Sequence, residues 1–212
     1  MKKVLLTTMI AALLIFPLEG VALAQSPDTP TLEISATQEG YVPGSAPAQT
    51  DALESMTPAI HGMILAMLNH HQTQFDASDR QLGWEALYNM LSLYGQMDAR
   101  SEYMDEDLVL PVETAMDFSS ALPTPMAELG ALPTQLSDRM IYSSEIDSYR
   151  LACGNDSLAQ VAVTHTAQIN GQLDASGSLV YLVDNSTLAQ FHAVLQPRDN
   201  LFGYTIVSLE LL

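Results

Sequence analysis

The spacing of apolar residues predicts a helix early in the chain. Between residues 57 and 74 apolar side chains recur every three or four positions, which places them on one face of a helix. Thr57 before Pro58 is a typical helix start, with an N-cap hydroxyl followed by proline in the first turn. Gly62 costs this helix about 1 kcal/mol relative to alanine.

A second helix is predicted directly afterwards. Ser78 and Gln81 fit a capping box at its start, and Gly95 is a plausible residue just past its end. An aromatic stripe at helical spacing is more often core than pocket lining, so we expect it to be buried. The aromatic members of this stripe are Trp84, Tyr88 and Tyr94.

After residue 147 the apolar period becomes two, as expected for strands that bury one face. Tyr149, Leu151 and Cys153 alternate with polar residues in the first strand, and residues 174–177 predict a hairpin turn. Connections this short join only antiparallel neighbours. The sequence therefore predicts an antiparallel meander of about five strands, the others at residues 161–169, 178–183, 190–196 and 202–211.

These two patterns together predict an α+β fold. Residues 51–212 are expected to form one domain, mainly helical over 51–122 and an antiparallel sheet over 147–212, with the helices on one face of the sheet. We expect the face that carries Ile206 to pack against them. Helices that lie across a curved antiparallel sheet make a cone-like shape. This shape resembles the cystatin-like and nuclear-transport-factor-like folds by analogy alone, since no motif is shared.

The N-terminus has the pattern of an export signal. Lys2 and Lys3 precede an apolar run over residues 4–18, and Ala22-Leu23-Ala24 supplies a small-x-small cleavage site. We therefore expect residues 1–24 to be removed, and the protein to be exported to the periplasm or the medium. Residues 25–50 are rich in Pro, Ser, Thr and Ala, which predicts a disordered or flexible arm.

The charge of the chain excludes several partners and chemistries. The formal net charge of −18 becomes −19 without residues 1–24, which carry two lysines and Glu19. Such a surface repels nucleic acid and anionic lipid headgroups. No lysine follows Lys3, which excludes a Schiff-base lysine or a P-loop lysine in the exported protein. No later apolar run reaches 18 residues, so membrane insertion is not expected.

Cys153 is the single cysteine, so the chain can form no internal disulfide. In an exported protein an odd thiol is either buried and inert or used between chains. Its place in an alternating strand pattern predicts that Cys153 is buried.

The histidines do not form a predictable metal site. His61, His70 and His71 lie on the first predicted helix, but their spacings put them on different faces or too far apart along the axis. His165 follows a run of inward-facing valines and is expected in the core. His192 alternates with glutamines, which suggests a wetter face.

A cluster of carboxylates between residues 98 and 107 supplies the weak metal candidates of the sequence. Oxygen ligands suit calcium, but the cluster lacks the ligand spacing and the glycine of an EF-hand loop. A solvated acidic loop is the simpler interpretation, and no cofactor is predicted. The candidates are Asp98, Glu102, Asp105, Glu106 and Asp107.

No motif identifies a reaction. There is no Gly-x-Ser-x-Gly elbow and no Gly-rich phosphate cradle. The pattern therefore favours a non-catalytic module that binds an unknown small molecule or protein, and it does not predict an oligomeric state. The first alternative is an extracellular or periplasmic hydrolase with a site made of scattered acidic residues and His165 or His192. The second is a calcium-dependent surface protein that uses the acidic segment.

Overall fold

The computed structural model describes residues 48–152 and 158–212, with side chains from Leu53 onward. The export signal, most of the expected arm and Cys153 lie outside the described residues. In chain order the elements are α1 Ala48–Asn69, α2 Arg80–Tyr94, a 3-10 turn Gly95–Met97, β1 Glu102–Met104, β2 Asp107–Pro111, α3 Val112–Ser119, α4 Met126–Leu129, β3 Met140–Ser143, β4 Ser148–Ala152, β5 Ala159–Ile169, β6 Gln172–Tyr181, β7 Thr187–Pro197 and β8 Tyr204–Leu211.

The α+β class with N-terminal helices is confirmed, and the strands form two antiparallel sheets. One is a meander in the order β5-β6-β7-β8, and the other has the order β1-β2-β4-β3. The expected meander of about five strands therefore has four, because the strand of Tyr149 and Leu151 pairs with β2 and β3 instead. None of the described helices is both long and apolar enough to cross a membrane.

The second sheet includes part of the segment expected to be an acidic loop. Met104 pairs with Asp107, so only Asp105 and Glu106 connect β1 to β2. Asp105 has a φ of 58°, a left-handed conformation that aspartate tolerates and that tight hairpin turns require. The apolar residues after this turn form β2, in which Leu108 pairs with Leu151 of β4.

The helix ends differ from those expected. α1 begins at Ala48 and continues through Pro58, so Thr57 is not its N-cap. Proline removes one backbone donor, but buried Leu53 and Met56 continue the packed face on the earlier turns. α2 is capped by Asp79, whose carboxylate accepts the backbone N–H groups of Gln81 and Leu82 at 3.0 and 3.1 Å.

α1 and α2 form an antiparallel hairpin that meets at Gly62. A Cβ at this position would lie 2.6 Å from the Met90 side chain and 2.7 Å from the Ala86 carbonyl oxygen. The Asn89 side chain donates to the Gly62 carbonyl at 3.3 Å across the same contact. Glycine is therefore needed here for close approach of two helix backbones.

The turn between β5 and β6 lies at Asn170-Gly171, so the hairpin expected at residues 174–177 is wrong. Both residues have positive φ, 52° and 80°, as a two-residue hairpin loop requires. Gly177 lies inside β6, where a Cβ would clash with the Ala162 carbonyl and the Phe191 ring. That glycine permits close packing rather than a turn.

Bulges in the meander change which residues face the core. Val163 pairs with Gly177 and His165 with Ser176, so Thr164 is an extra residue. The bulge turns His165 to the outer face, where it is exposed, and the expected core position is wrong. Ile206 is fully buried on the inner face, as expected.

A second bulge lies at the end of the sheet. Leu195 pairs with Ile206 while Val194 pairs with Ser208, which leaves Val207 unpaired. Ile206 and Leu209 consequently share the inner face, although simple alternation assigns them to opposite faces. Their side chains join one core with those of α1 and α2.

Candidate functional site

A cleft of about 470 Å³ opens where the first half of α1 meets the end of α2, α3 and the loop between β7 and β8. Pro58, Phe118 and Phe202 contribute apolar walls, and the two phenylalanine rings contact edge to face with centroids 5.5 Å apart. We call this site the apolar cleft. Its lining residues are Glu54, Ser55, Pro58, Tyr94, Met97, Asp98, Arg100, Phe118, Leu201 and Phe202.

Two large apolar side chains of the cleft are highly exposed. Met97, in the 3-10 turn, is 76% exposed and Leu201, in the β7–β8 loop, is 63% exposed. The loop is attached to α1 by Ser55, whose hydroxyl donates to the Phe202 carbonyl at 2.7 Å. Exposed apolar surface at a concave position is typical of a binding site.

A neutral pair of side chains, His61 and Tyr94, supports one wall of the cleft. His61 Nδ1 lies 2.8 Å from the hydroxyl of Tyr94, and their rings contact edge to face. His61 is buried, and this burial lowers its pKa to about 4. Burial also raises the pKa of the Tyr94 phenol. Both groups are therefore uncharged at neutral pH, and this wall attracts no ion by itself.

The charges at the rim compensate one another. Arg100 donates to both oxygens of Asp98, at 2.6 to 3.1 Å, and its Nη2 also donates to Asp117 at 2.6 Å. The hydrogen bonds from Arg100 hold the pKa of Asp98 down at about 2, and the same contacts raise the pKa of Arg100. With exposed Glu54 nearby, the rim carries more negative than positive charge.

The five carboxylates proposed as weak metal ligands do not converge. Asp98 bonds Arg100, whereas Asp107 and Asp105 lie beside Arg150, the latter at 3.8 Å. Within residues 48–152 and 158–212 no group of three His, Cys, Asp or Glu side chains is placed to hold a metal ion. The remaining two candidates, Glu102 and Glu106, are exposed.

His192 lies on the outer face of the meander between two carboxylates. Its Nε2 is 2.8 Å from Asp174 and its Nδ1 is 3.2 Å from Glu210. The hydrogen bond to Asp174 is the main cause that raises the pKa of His192, and Glu210 adds to it. Both ring nitrogens are occupied, so the arrangement leaves no lone pair for a general base. His165, two strands away, is exposed.

A second cleft, of about 450 Å³, lies at the other end of the helical hairpin. Here the carboxylate of Glu85 accepts a hydrogen bond from the Asn69 amide at 2.7 Å and lies 2.9 Å from His70 Nε2. Arg139 lies over the ring of Tyr88. We call this site the polar cleft. Its lining residues are Asn69, His70, Gln81, Glu85, Gln135, Leu136 and Arg139.

The aromatic stripe of α2 serves two environments. Trp84 and Tyr88 are buried, which confirms their expected core position, whereas half-buried Tyr94 lines the apolar cleft. Met97 and Leu201 were not among the residues predicted from the sequence. A large apolar residue directly after the polar turn residues 197–200 was the available signal for Leu201.

Comparison of the chain with known protein families, with curated proteins and with solved structures finds no match.

Proposed function

We propose that the protein is a non-catalytic binding module whose apolar cleft holds a small, largely apolar ligand that carries a cationic group. The observation that supports this is the exposure of Met97 and Leu201 on the same cleft. Burying a side chain of this size contributes about 1.5–3 kcal/mol. A ligand that covers both therefore gains a substantial part of a micromolar binding free energy, which is about 8 kcal/mol.

The cationic group is inferred from the rim. Arg100 is already held by Asp98 and Asp117, so it offers little to an anionic ligand. Glu54 is exposed and its carboxylate is not part of this network. A ligand cation would approach an excess of negative charge here, in a chain whose formal net charge is −18.

A binding role also fits the polar groups of the cleft. The Ser55 hydroxyl donates to the Phe202 carbonyl, and His61 Nδ1 is held by Tyr94. A serine nucleophile needs a base that accepts its proton, and these contacts direct the two groups to other partners. If the protein is exported, as the N-terminal pattern predicts, it meets such a ligand outside the cytoplasm.

The test is a calorimetric titration with decyltrimethylammonium kept below its micelle concentration. We expect saturable binding to the protein, and much weaker binding of decyl sulfate, because the rim repels an anion. Leu201→Ser should weaken binding about tenfold, since losing about 1.4 kcal/mol is a factor of ten. Leu182→Ser is the matched control, because Leu182 is 49% exposed but does not line the cleft.

Two results would contradict the proposal. One is the absence of saturable binding of the cationic probe. The other is equal weakening by Leu201→Ser and Leu182→Ser, which would indicate general adsorption to exposed apolar residues.

A further inference from the structure

The polar cleft contains a buried anion that still has acceptor capacity. Glu85 is 8% exposed, and one hydrogen-bonding group lies at each of its oxygens, Asn69 at 2.7 Å and His70 at 2.9 Å. An ionised carboxylate has about four lone-pair directions, so about half remain open. A buried charge is stable only with partners of suitable chemistry, and a cationic group of a ligand would be one.

The same cleft presents a cation that is held in orientation without being neutralised. The guanidinium carbon of Arg139 lies 5.8 Å from the centroid of the Tyr88 ring. A guanidinium held over an aromatic face keeps the N–H donors at its edge free for a carboxylate. Among the described residues Arg139 forms no ion pair, unlike Arg100 and Arg150.

Glu85 and Arg139 therefore line one cleft as opposite charges that are not paired with each other. A simple anion could use Arg139, but the chain as a whole, at −18, repels anions. A ligand with its own positive group avoids this cost and also complements Glu85. The amide side chains of Gln81 and Gln135 bond each other at the cleft and offer neutral donors and acceptors to the rest of such a ligand.

We propose that the polar cleft is a second binding site, for a small zwitterion of the amino-acid type. The ligand carboxylate binds the guanidinium of Arg139, and the ligand ammonium binds the carboxylate of Glu85. This site lies apart from the apolar cleft and shares no lining residue with it.

The test is calorimetric titration with the standard amino acids one at a time, with acetate and methylammonium as half-ligands. At least one amino acid should bind with a dissociation constant of about 1 mM or tighter, and both half-ligands should bind at least tenfold more weakly. Arg139→Gln and Glu85→Gln should each weaken amino-acid binding at least tenfold. Arg198→Gln, an exposed arginine outside this cleft, should leave it unchanged.

Glu85 is buried, so Glu85→Gln must first be shown to melt cooperatively. Arg139 is exposed, and its variant keeps the test decisive if the first does not fold. Absence of binding by every amino acid would overturn the proposal. So would binding that is unchanged in Arg139→Gln, or half-ligands that bind as tightly as the amino acids.

Discussion

The apolar cleft and the polar cleft are built on the same two helices and differ in how their charges are arranged. In the apolar cleft Arg100 is compensated by two carboxylates, and the exposed surface is that of Met97 and Leu201. In the polar cleft Glu85 and Arg139 are not paired with each other. If the two proposals hold, we expect the first site to gain affinity mainly from burying apolar area, and the second from completing ionic contacts.

Two histidines, His61 in α1 and His70 directly after its last residue, show the same difference. His61 faces a phenol in a buried position, and its pKa is lowered to about 4 by that burial. His70, nine residues later, lies 2.9 Å from the carboxylate of Glu85 and is partly exposed. The partner supplied by the antiparallel neighbour α2, and not the residue type alone, decides which chemistry each end of the hairpin supports.

The largest effect on stability is expected at Gly62, where α1 and α2, the two helices that carry both clefts, approach each other. Gly62→Val should lower the free energy of unfolding by more than about 3 kcal/mol, because its Cβ alone would overlap the Ala86 carbonyl and the Met90 side chain. Urea denaturation measures this loss. Ala127→Val, at an exposed position of α4, is the control and should change stability by less than about 0.5 kcal/mol. Equal stability of the two variants would show that α1 and α2 do not approach closely at Gly62.

The next largest effect is the pH dependence of stability that His61, behind the apolar cleft, causes. The folded pKa of His61 is about 4, below its ordinary 6.5, so the unfolded chain binds more protons between these values. Stability from neutral His61 is thus full above about pH 6.5 and is lost as the pH falls toward 4, by about 3 kcal/mol. His61→Gln should remove this part of the acid sensitivity in denaturation curves at pH 7 and 4.

His71→Gln is the control for that comparison, because His71 is exposed in the turn that follows α1. Its acid sensitivity should match that of the parent protein. If His61→Gln also matches the parent, the wall of the apolar cleft is not held by a neutral histidine.

A smaller effect is expected at the rim. Asp98→Asn should destabilise the protein by about 1 kcal/mol at pH 7, the upper range for a surface ion pair, because its partner Arg100 is exposed. The pKa of Asp98 is lowered from 3.8 to about 2, so its contribution is present above pH 3.8 and is lost as the pH falls through 2. Denaturation of the variant and the parent should converge there. Asp138→Asn, an exposed carboxylate in no ion pair within the described residues, should have no effect at either pH.

The helices and the meander could be predicted because their apolar periods are nearly continuous. The sheet face on which His165 lies could not be predicted. The bulge at Thr164 shifts the alternation of inward and outward residues, and no residue type in the sequence indicates a bulge there. Ser78 and Asp79 are both good caps, and only the geometry shows that Asp79 reaches the backbone donors. The sheet that contains β1 and β2 was not predicted, because these strands flank a turn of carboxylates, a pattern typical of a solvated loop.

The clefts were harder to predict than the fold. Tyr94 continues the stripe of Trp84, and its position beside His61 depends on how α1 and α2 pair. Glu85 lies between apolar residues on α2, and a carboxylate at such a position was a signal for a buried polar contact. The position of Leu201 depends on long-range bonds of the β7–β8 loop, from Ser55 of α1 to the Phe202 carbonyl and from Asn200 to the Ser120 carbonyl.

Methyl NMR of methionine-labelled protein during titration with decyltrimethylammonium tests directly whether the apolar cleft binds the ligand. Met97 lines the apolar cleft, whereas Met116 is 50% exposed and lies outside it, so the two methyl groups form a matched pair. Assignment follows from Met97→Leu and Met116→Leu. We expect a saturable shift of the Met97 resonance with little change at Met116. An unshifted Met97, or equal shifts of both resonances, would contradict it.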